Sequence, residues 1–269
     1  MTAFFARLER FDSVGSTNDV VRDWLAAGTA EVCLAIADEQ TAGRGRAGRA
    51  WIAPRGAALL LSLGFRPSWL EPDRVWRLAA TVSLAMAHAA EEVAGLPERA
   101  IRLKWPNDLV VESDGTGARK LAGVLGETQG LGTADPRVIV GLGINGNWRA
   151  ADFPPELAGS MTSLREASGG RPIDLALLRE AFLGRLEATI GTLRGGRFHE
   201  ADWTDRQLTT GRTIHLEHPD GNETVRALGV DVATGALIVE DPGAPTGERQ
   251  VLVGEISHVR LAAPIPAAV

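Results

Sequence analysis

At 269 residues the chain exceeds one typical domain of roughly 100–200 residues, so one large domain or a large and a small one is expected, either able to bury a core. Hydrophobic residues make up 45% and charged residues 23%, the proportions of an ordinary globular protein rather than of a disordered or fibrous one. The formal charge of −6 argues against a broad electrostatic grip on nucleic acid, which depends on Lys and Arg neutralising phosphates.

The N-terminal residues, Met1 to Arg7, carry no basic region ahead of a long apolar core, and no uninterrupted apolar stretch of about 18 residues follows, so neither export nor a membrane span is expected. Ser16 stands as an N-cap with Asp19 three residues on, and Val20, Val21, Trp24 and Leu25 mark one helical face that Gly28 ends. Residues 32–37 are predicted as a buried strand. They hold the single cysteine, Cys33, which reads as a small core residue and leaves neither a disulfide framework nor a thiolate metal cluster, as expected in a reducing cytoplasm. Residues 57–65 form the next predicted strand, and the polar glycine- and arginine-rich stretch between the two is expected to be a mobile loop.

Val75, Leu78, Ala79, Val82 and Met86 follow helical spacing and predict a helix from Glu71 to about Gly95; Leu175, Leu178, Phe182, Leu186 and Ile190 predict a second. Between them, residues 101–105, 109–111, 121–127 and 138–144 read as strands, so the first 200 residues form an α+β layered domain. After about Arg206 the texture changes to short strands at 213–216, 224–230, 236–240 and 250–253, separated by turns such as Pro219-Asp220-Gly221-Asn222 and Thr234-Gly235. A small separate β-barrel is expected there, dividing the chain into 1–207 and 208–269.

The densest chemical signal is Gln40-Thr41-Ala42-Gly43-Arg44-Gly45-Arg46-Ala47-Gly48-Arg49-Ala50-Trp51. Glycine lets backbone N–H groups approach a ligand, and arginine offers a planar fork matched to phosphate or carboxylate, so an anion site is the natural reading. Gly43, Gly45 and Gly48 also satisfy the dinucleotide-binding pattern, but a strand follows where that pattern needs a helix, and the required acid is missing. The bland alternative is a solvated loop with no ligand.

Lys104-Trp105-Pro106-Asn107-Asp108 gathers a lysine, an amide and a carboxylate where two strands meet, and Pro106 biases Trp105 toward an extended conformation. Asn-Asp after Pro serves equally as ordinary turn chemistry. Lys120, in Lys120-Leu121-Ala122-Gly123, stands at the mouth of a glycine-containing strand, where it can neutralise an anion or simply solubilise an edge. Asn145, in Gly141-Leu142-Gly143-Ile144-Asn145-Gly146-Asn147, offers an amide able to read a purine edge or cap a turn. The five histidines, His88, His199, His215, His218 and His258, show no metal-ligand spacing, and both a serine-nucleophile elbow and a Walker-type phosphate loop are absent.

Together these residues resemble the biotin protein ligase family. Ser16-Thr17-Asn18, the Gly43 to Arg49 loop after Gln40, Lys104 to Asp108, and Lys120 to Gly123 stand in the family's order, and the likeness runs from about Phe11 to Asn147 and more weakly through Gly254-Glu255-Ile256-Ser257. The resemblance implies the mixed sheet backed by helices shared with class II aminoacyl-tRNA synthetases and lipoate ligases, followed by an SH3-like barrel. The family's repressor members carry an N-terminal winged helix-turn-helix, for which the first 15 or so residues leave no room, so a monofunctional ligase that does not bind DNA is expected. Residues 112–119 are expected to be a surface loop without catalytic meaning.

The activity so implied is adenylation of biotin by ATP with Mg²⁺, then transfer to a lysine of a biotin carboxyl carrier protein. Ser16, Thr17, Asn18 and Gln40 would hold the ureido ring, with Gly43, Arg44, Gly45, Arg46, Lys120 and Gly123 completing the biotin site and the loop ordering only when ligand is present. Arg46, Arg49, Trp51, Lys104, Asn107 and Asn145 would meet ATP, Trp51 by stacking on adenine or else by packing in the core. Arg44, Arg46, Arg49 and Lys120 would supply positive charge where the transition state is negative, and Asp108 would orient or deprotonate the incoming amine; Arg46, Lys120 and Asp108 are thus the catalytic candidates. A lipoate or octanoate ligase or transferase of the same fold is the nearest rival, and a catalytically silent biotin-binding module the next. A monomer and a homodimer are both compatible with the sequence.

Overall fold

The computed structural model describes residues 4–113, 117–219, 221–256 and 258–262. In chain order these form β1 (Arg7–Phe11), α1 (Thr17–Ala26), β2 (Cys33–Ala37), β3 (Ala58–Phe65), α2 (Trp76–Ala94), β4 (Ile101–Lys104), β5 (Asp108–Ser113), β6 (Gly117–Gln129) and β7 (Arg137–Asn145). Two single turns, α3 (Pro155–Ala158) and α4 (Leu164–Ala167), then α5 (Leu175–Arg194) and α6 (Glu200–Asp205) follow. The last strands are β8 (Thr213–His218), β9 (Gly221–Val230), β10 (Leu237–Glu240), β11 (Glu248–Val251) and β12 (His258–Leu261).

The first seven strands make one mixed sheet in the order β1-β2-β3-β7-β6-β5-β4, parallel only between β1 and β2. Side chains alternate across it with period two. Leu59, Leu61 and Leu63 of β3 and Val138, Val140, Leu142 and Ile144 of β7 share a core with α2 and α5 on one face. On the other face Cys33, Ala35 and Ile139 pack with Val21, Trp24 and Leu25 of α1. That face is only partly covered by α1, and the rest of it carries Lys104, Asp108, Gly123 and Gly143 beside Leu60. Gly95 ends α2 in the left-handed region at φ 61°, and Asp174 caps α5 by accepting from Ala176 N at 2.8 Å and Leu177 N at 3.1 Å.

The expected small β unit is a five-stranded antiparallel sheet, β11-β10-β9-β8-β12, with its own core. Trp105, from the turn between β4 and β5, is inserted in that core and donates Nε1 to Gly235 O at 3.0 Å. Leu208 N donates to Leu103 O at 2.7 Å, so the chain leaves the large sheet alongside β4.

Several expectations need correction. The edge strand β1 and the closing strand β12 were not foreseen, because Arg7-Leu8-Glu9-Arg10-Phe11 and His258-Val259-Arg260-Leu261 are charged and short. The strand expected at 250–253 lies at Glu248–Val251, and Val253 begins a 3₁₀ turn. Ser16 precedes α1 but makes no side-chain capping bond. The predicted 112–119 loop is largely the arms of a β5–β6 hairpin, with 114–116 outside the described residues. Within the glycine-arginine loop, Arg44 bridges Ala50, and residues Arg46–Gly48 make a 3₁₀ turn.

Candidate functional site

One cross-strand row organises the open face of the large sheet. Lys104 on β4 is opposite Asp108 on β5, Asp108 opposite Gly123 on β6, Gly123 opposite Gly143 on β7, and Gly143 opposite Leu60 on β3. Directly opposed residues project to the same side, so this row puts a cation, an anion and two glycines side by side. Lys120 joins them through a bulge. Leu109 pairs with Ala122 but Val110 pairs with Lys120, leaving Leu121 out of the ladder. Leu121 and Ala122 both enter the helix-side core, and Lys120 is thereby turned to the opposite face, a re-aiming that β-bulges commonly perform beside active sites.

Asp108 is buried, with Lys120 Nζ 2.6 Å from its Oδ1 and Lys104 Nζ 3.4 Å from its Oδ2. Burial pushes the carboxyl up, but the two lysines outweigh it and hold Asp108 below the usual carboxylate range. The same burial lowers Lys104, which Asp108 only partly restores.

At the α1 end of the face stands a polar network. Gln40 Oε1 accepts from Thr17 N at 2.8 Å and from Thr17 Oγ1 at 3.0 Å. Ser62 Oγ lies 2.7 Å from Thr17 Oγ1 and 2.6 Å from Asn18 Oδ1, its single proton serving two acceptors. Asn18 Nδ2 is buried with no partner among the described residues. Ser62 faces Gly141 across the β3–β7 ladder, and a Cβ on Gly141 would stand 2.2 Å from Asn18 Oδ1. Glycine is therefore required wherever this face receives Asn18.

Trp51 covers the middle of the trough: Cβ atoms added at Gly143 and Gly123 would lie 2.6 Å and 3.1 Å from its ring. Its Nε1 is buried without a partner among the described residues, and Lys120 Nζ is 5.4 Å from the ring centroid. Asn145, next along β7, donates Nδ2 to Thr162 O at 3.0 Å while its Oδ1 is buried with no partner among the described residues. Asn107 is committed to its own turn, donating Nδ2 to Val124 O at 3.0 Å.

The arginines of the loop divide. Arg44 is drawn away from the Asp108 cluster, forking onto Asp19 of α1 with 2.8 Å and 2.6 Å contacts. That bond, with help from Arg22, lowers the Asp19 carboxyl to about 2 against the opposing effect of burial. Arg46 donates from Nη2 to Val253 O at 2.9 Å and Ile256 O at 2.8 Å, and Arg49 reaches His258 Nδ1 at 2.6 Å. A cavity of about 300 Å³ lies beside the cluster, lined by Arg46, Lys104, Asn107 and Asp108 and by apolar residues of α2 and the sheet, among them Ala79, Ala80, Val124 and Val138. Among the described residues no group of three or more His, Cys, Asp or Glu gathers into a metal site.

The structure thus brings Thr17, Asn18, Gln40, Trp51, Lys104, Asp108, Lys120, Gly123 and Asn145 to one face, with Ser16 buried at its α1 end. Gly43 is locked by its neighbours, since a Cβ there would meet Trp51 O at 2.5 Å; Gly45 donates its N–H to Arg49 O at 2.6 Å. Sequence reasoning missed Ser62, Gly141 and His258. A lone hydroxyl within Leu59-Leu60-Leu61-Ser62-Leu63 was a visible signal for the first; nothing local marked His258.

Residues 11–145 match the model of the Biotin/lipoate A/B protein ligase family. A biotin–[acetyl-CoA-carboxylase] ligase of Mycobacterium tuberculosis is 31% identical over 94% of this chain and 90% of its own length. The chain belongs to the biotin/lipoate A/B protein ligase family. A bifunctional ligase/repressor of Bacillus subtilis is likewise 31% identical, over 85% of this chain and 68% of its own. Among solved structures, the biotin protein ligase from Aquifex aeolicus in complex with biotin and ATP superposes with a TM-score of 0.76 at 27% identity, covering 96% of this chain and all of that one. The family model spans the mixed sheet, and the match to the Aquifex structure extends over the appended β unit as well.

Proposed function

We propose that the protein is an ATP-dependent biotin protein ligase. Biotin's carboxylate attacks the α-phosphorus of ATP, pyrophosphate leaves, and biotinyl-5′-AMP forms; the amine of a lysine on a biotin carboxyl carrier protein then attacks the acyl carbon and AMP leaves. The observation that carries the proposal is the glycine-floored face, with Asn18 Nδ2, unpartnered among the described residues, over Gly141 at one end and Lys120 with Asp108 at the other. Gly141 and Gly143 are two residues apart, about 6.6 Å by strand rise, which suits a ligand with a polar ring at one end and a carboxylate at the other.

In this reading Ser16, Thr17, Asn18 and Gln40 bind the ureido ring, whose carbonyl and N–H groups match a hydroxyl and amide set. Lys120 and Arg46 meet the carboxylate and α-phosphate, where charge-assisted bonds aimed at developing negative charge lower the barrier. Trp51, Arg49, Lys104, Asn107 and Asn145 receive the nucleotide, and Mg²⁺ arrives with it as the magnesium salt of ATP. Gly43, Arg44, Gly45 and Gly123 shape the wall, with Arg44 tethering the loop to α1. Because its two lysines hold the Asp108 carboxyl below the usual carboxylate range, it is a weak base, and it serves by accepting a hydrogen bond from the incoming amine and aligning it rather than by taking its proton.

The proposal includes a boundary at 207/208, supported by the Leu103–Gln207 bridge and by β8 starting at Thr213. It also includes a cytoplasmic enzyme, monomeric or homodimeric, with no role on DNA, supported by the net charge of −6 and by a single buried cysteine whose thiol burial pushes up to about 11. No helix among the described residues is long and apolar enough to cross a membrane. The test is biotin-dependent exchange of labelled pyrophosphate into ATP without carrier, with lipoate and octanoate in parallel. Exchange with biotin alone is expected; exchange with lipoate alone assigns the sister activity, and none with any acid leaves a binding module.

A further inference from the structure

Among the described residues, Arg46 and Arg49 clasp the loop to the small β unit through side-chain hydrogen bonds. Arg46 Nη2 donates to Val253 O and Ile256 O at 2.9 Å and 2.8 Å, and Arg49 Nη1 stands 2.6 Å from His258 Nδ1, the first residue of β12. Arg49 is anchored a second time, Nε to Arg46 O at 3.2 Å. A guanidinium carries donors only, so His258 Nδ1 must be the acceptor and the imidazole must be neutral, with its proton on Nε2. The charges around it agree: Lys104, Arg49 and Arg260 face the ring, with Glu217 as the opposing carboxylate, and burial together with these cations lowers His258 to about 4.

We propose that His258 is a positioning residue, which fixes the guanidinium of Arg49 for the ATP phosphates through the Arg49–His258 hydrogen bond between loop and β12. The inference rests on the ligase reading, since Arg49 needs a phosphate to meet. An arginine held at two nitrogens has already lost much of its rotamer freedom before nucleotide arrives, and pre-organisation of this kind appears in affinity rather than in chemistry. The small β unit thereby contributes to the nucleotide site without itself touching substrate, and the neutral ring accepts a hydrogen bond without adding a further positive charge beside Lys104.

The experiment is steady-state pyrophosphate exchange on the full chain with wild type, His258→Leu, His258→Gln, Arg49→Ala and the His258→Leu/Arg49→Ala double variant, each checked by thermal unfolding. Loss of one charge-assisted bond predicts a KM for ATP raised about tenfold or more in His258→Leu, with KM for biotin and kcat changed less than about twofold. His258→Gln, whose Oε1 can accept the same N–H, should recover most of the loss, and His258→Leu should add nothing in the Arg49→Ala background. An unchanged KM for ATP in His258→Leu, effects that multiply in the double variant, or equal damage to both substrates' KM values would overturn the role of His258 while leaving the ligase reading intact. No exchange by the wild type with any acid overturns both.

Discussion

Lys120 reaches Asp108 because Leu121 is left out of the β5–β6 ladder: without that bulge the strand's alternation would send the lysine into the helix-side core, and with it Nζ stands 2.6 Å from Asp108 Oδ1. The ammonium is therefore a placed charge on the trough rather than an edge lysine. Lys120→Ala should slow biotin-dependent pyrophosphate exchange at least about tenfold, because one charge-assisted bond is worth about 1.5–3 kcal/mol and each 1.36 kcal/mol at the barrier is about tenfold in rate. Initial exchange rates at saturating substrates decide it, and full activity in the variant removes Lys120 from the chemistry.

Ser62 is fully buried and supplies the hydroxyl between Thr17 and Asn18. Ser62→Ala leaves Asn18 with its amide nitrogen already unpartnered and its oxygen deprived of this neighbour. The loss of a net hydrogen bond, about 0.5–1.5 kcal/mol, predicts a KM for biotin raised about two- to tenfold with KM for ATP unchanged. Equal effects on both substrates would mean that the serine supports the sheet rather than the ring site.

Trp51 and Gly143 form a pair whose coupling can be measured. A methyl at Gly143 would come within 2.6 Å of the indole and must displace it. Stacking of a base on an aromatic ring contributes about 1–3 kcal/mol by alanine substitution, so Trp51→Ala should weaken binding of a non-hydrolysable ATP analogue about five- to 150-fold by calorimetry. Gly143→Ala should produce a loss of the same order, and the double variant should be no worse than Trp51→Ala. Additive losses would place the glycine's role elsewhere than beneath the ring.

Periodicity was sufficient for α2, α5, β2, β3 and β7, because each buries a continuous face whose apolar spacing is written in the chain. The motifs that carry charge and amides were also legible, since Lys104, Asp108, Gly123 and Asn18 are polar or small where a strand or helix face would otherwise be apolar. What the sequence hid was register. A one-residue bulge decides which face Lys120 takes, and no local signal marks Leu121 as the residue omitted. Long-range partners were hidden for the same reason: Arg44 pairs with Asp19 and Arg49 with His258 only once loop, α1 and β12 have been folded together. The edge strands β1 and β12 escaped because charged side chains occupy the positions that face water.

Behind the site, Arg206 is wholly buried and forks onto Glu91 at 2.7 Å and 3.0 Å while also meeting Asp202 at 3.0 Å and Ile101 O at 2.8 Å. It ties α2, α6 and β4 together behind the Lys104 strand. Arg206→Ala would leave the Glu91 carboxylate buried without its cation, and breaking a buried pair from one side costs about 3–5 kcal/mol. Urea unfolding should show that loss, with KM values close to wild type in whatever fraction remains folded. A change below about 1 kcal/mol would mean that water takes the arginine's place.

His258 sets a pH window for stability. Its imidazole, ordinarily near 6.5, is lowered to about 4 in the folded chain, so between those values the unfolded chain binds the additional proton. Stability from this group is therefore complete above about pH 6.5, declines as pH falls through the window, and is lost below about 4. The opposing carboxylate, Glu217, is held low chiefly by its hydrogen bond from Arg260. The measurement is a difference between wild type and His258→Gln, which isolates this ring from every other group in the chain. Thermal unfolding from about pH 7 to 4.5 should show wild type losing more Tm than the glutamine variant, most of it below about pH 6. Parallel curves would mean that the ring titrates as it does in water, and that the Arg49–His258 bond does not hold it neutral.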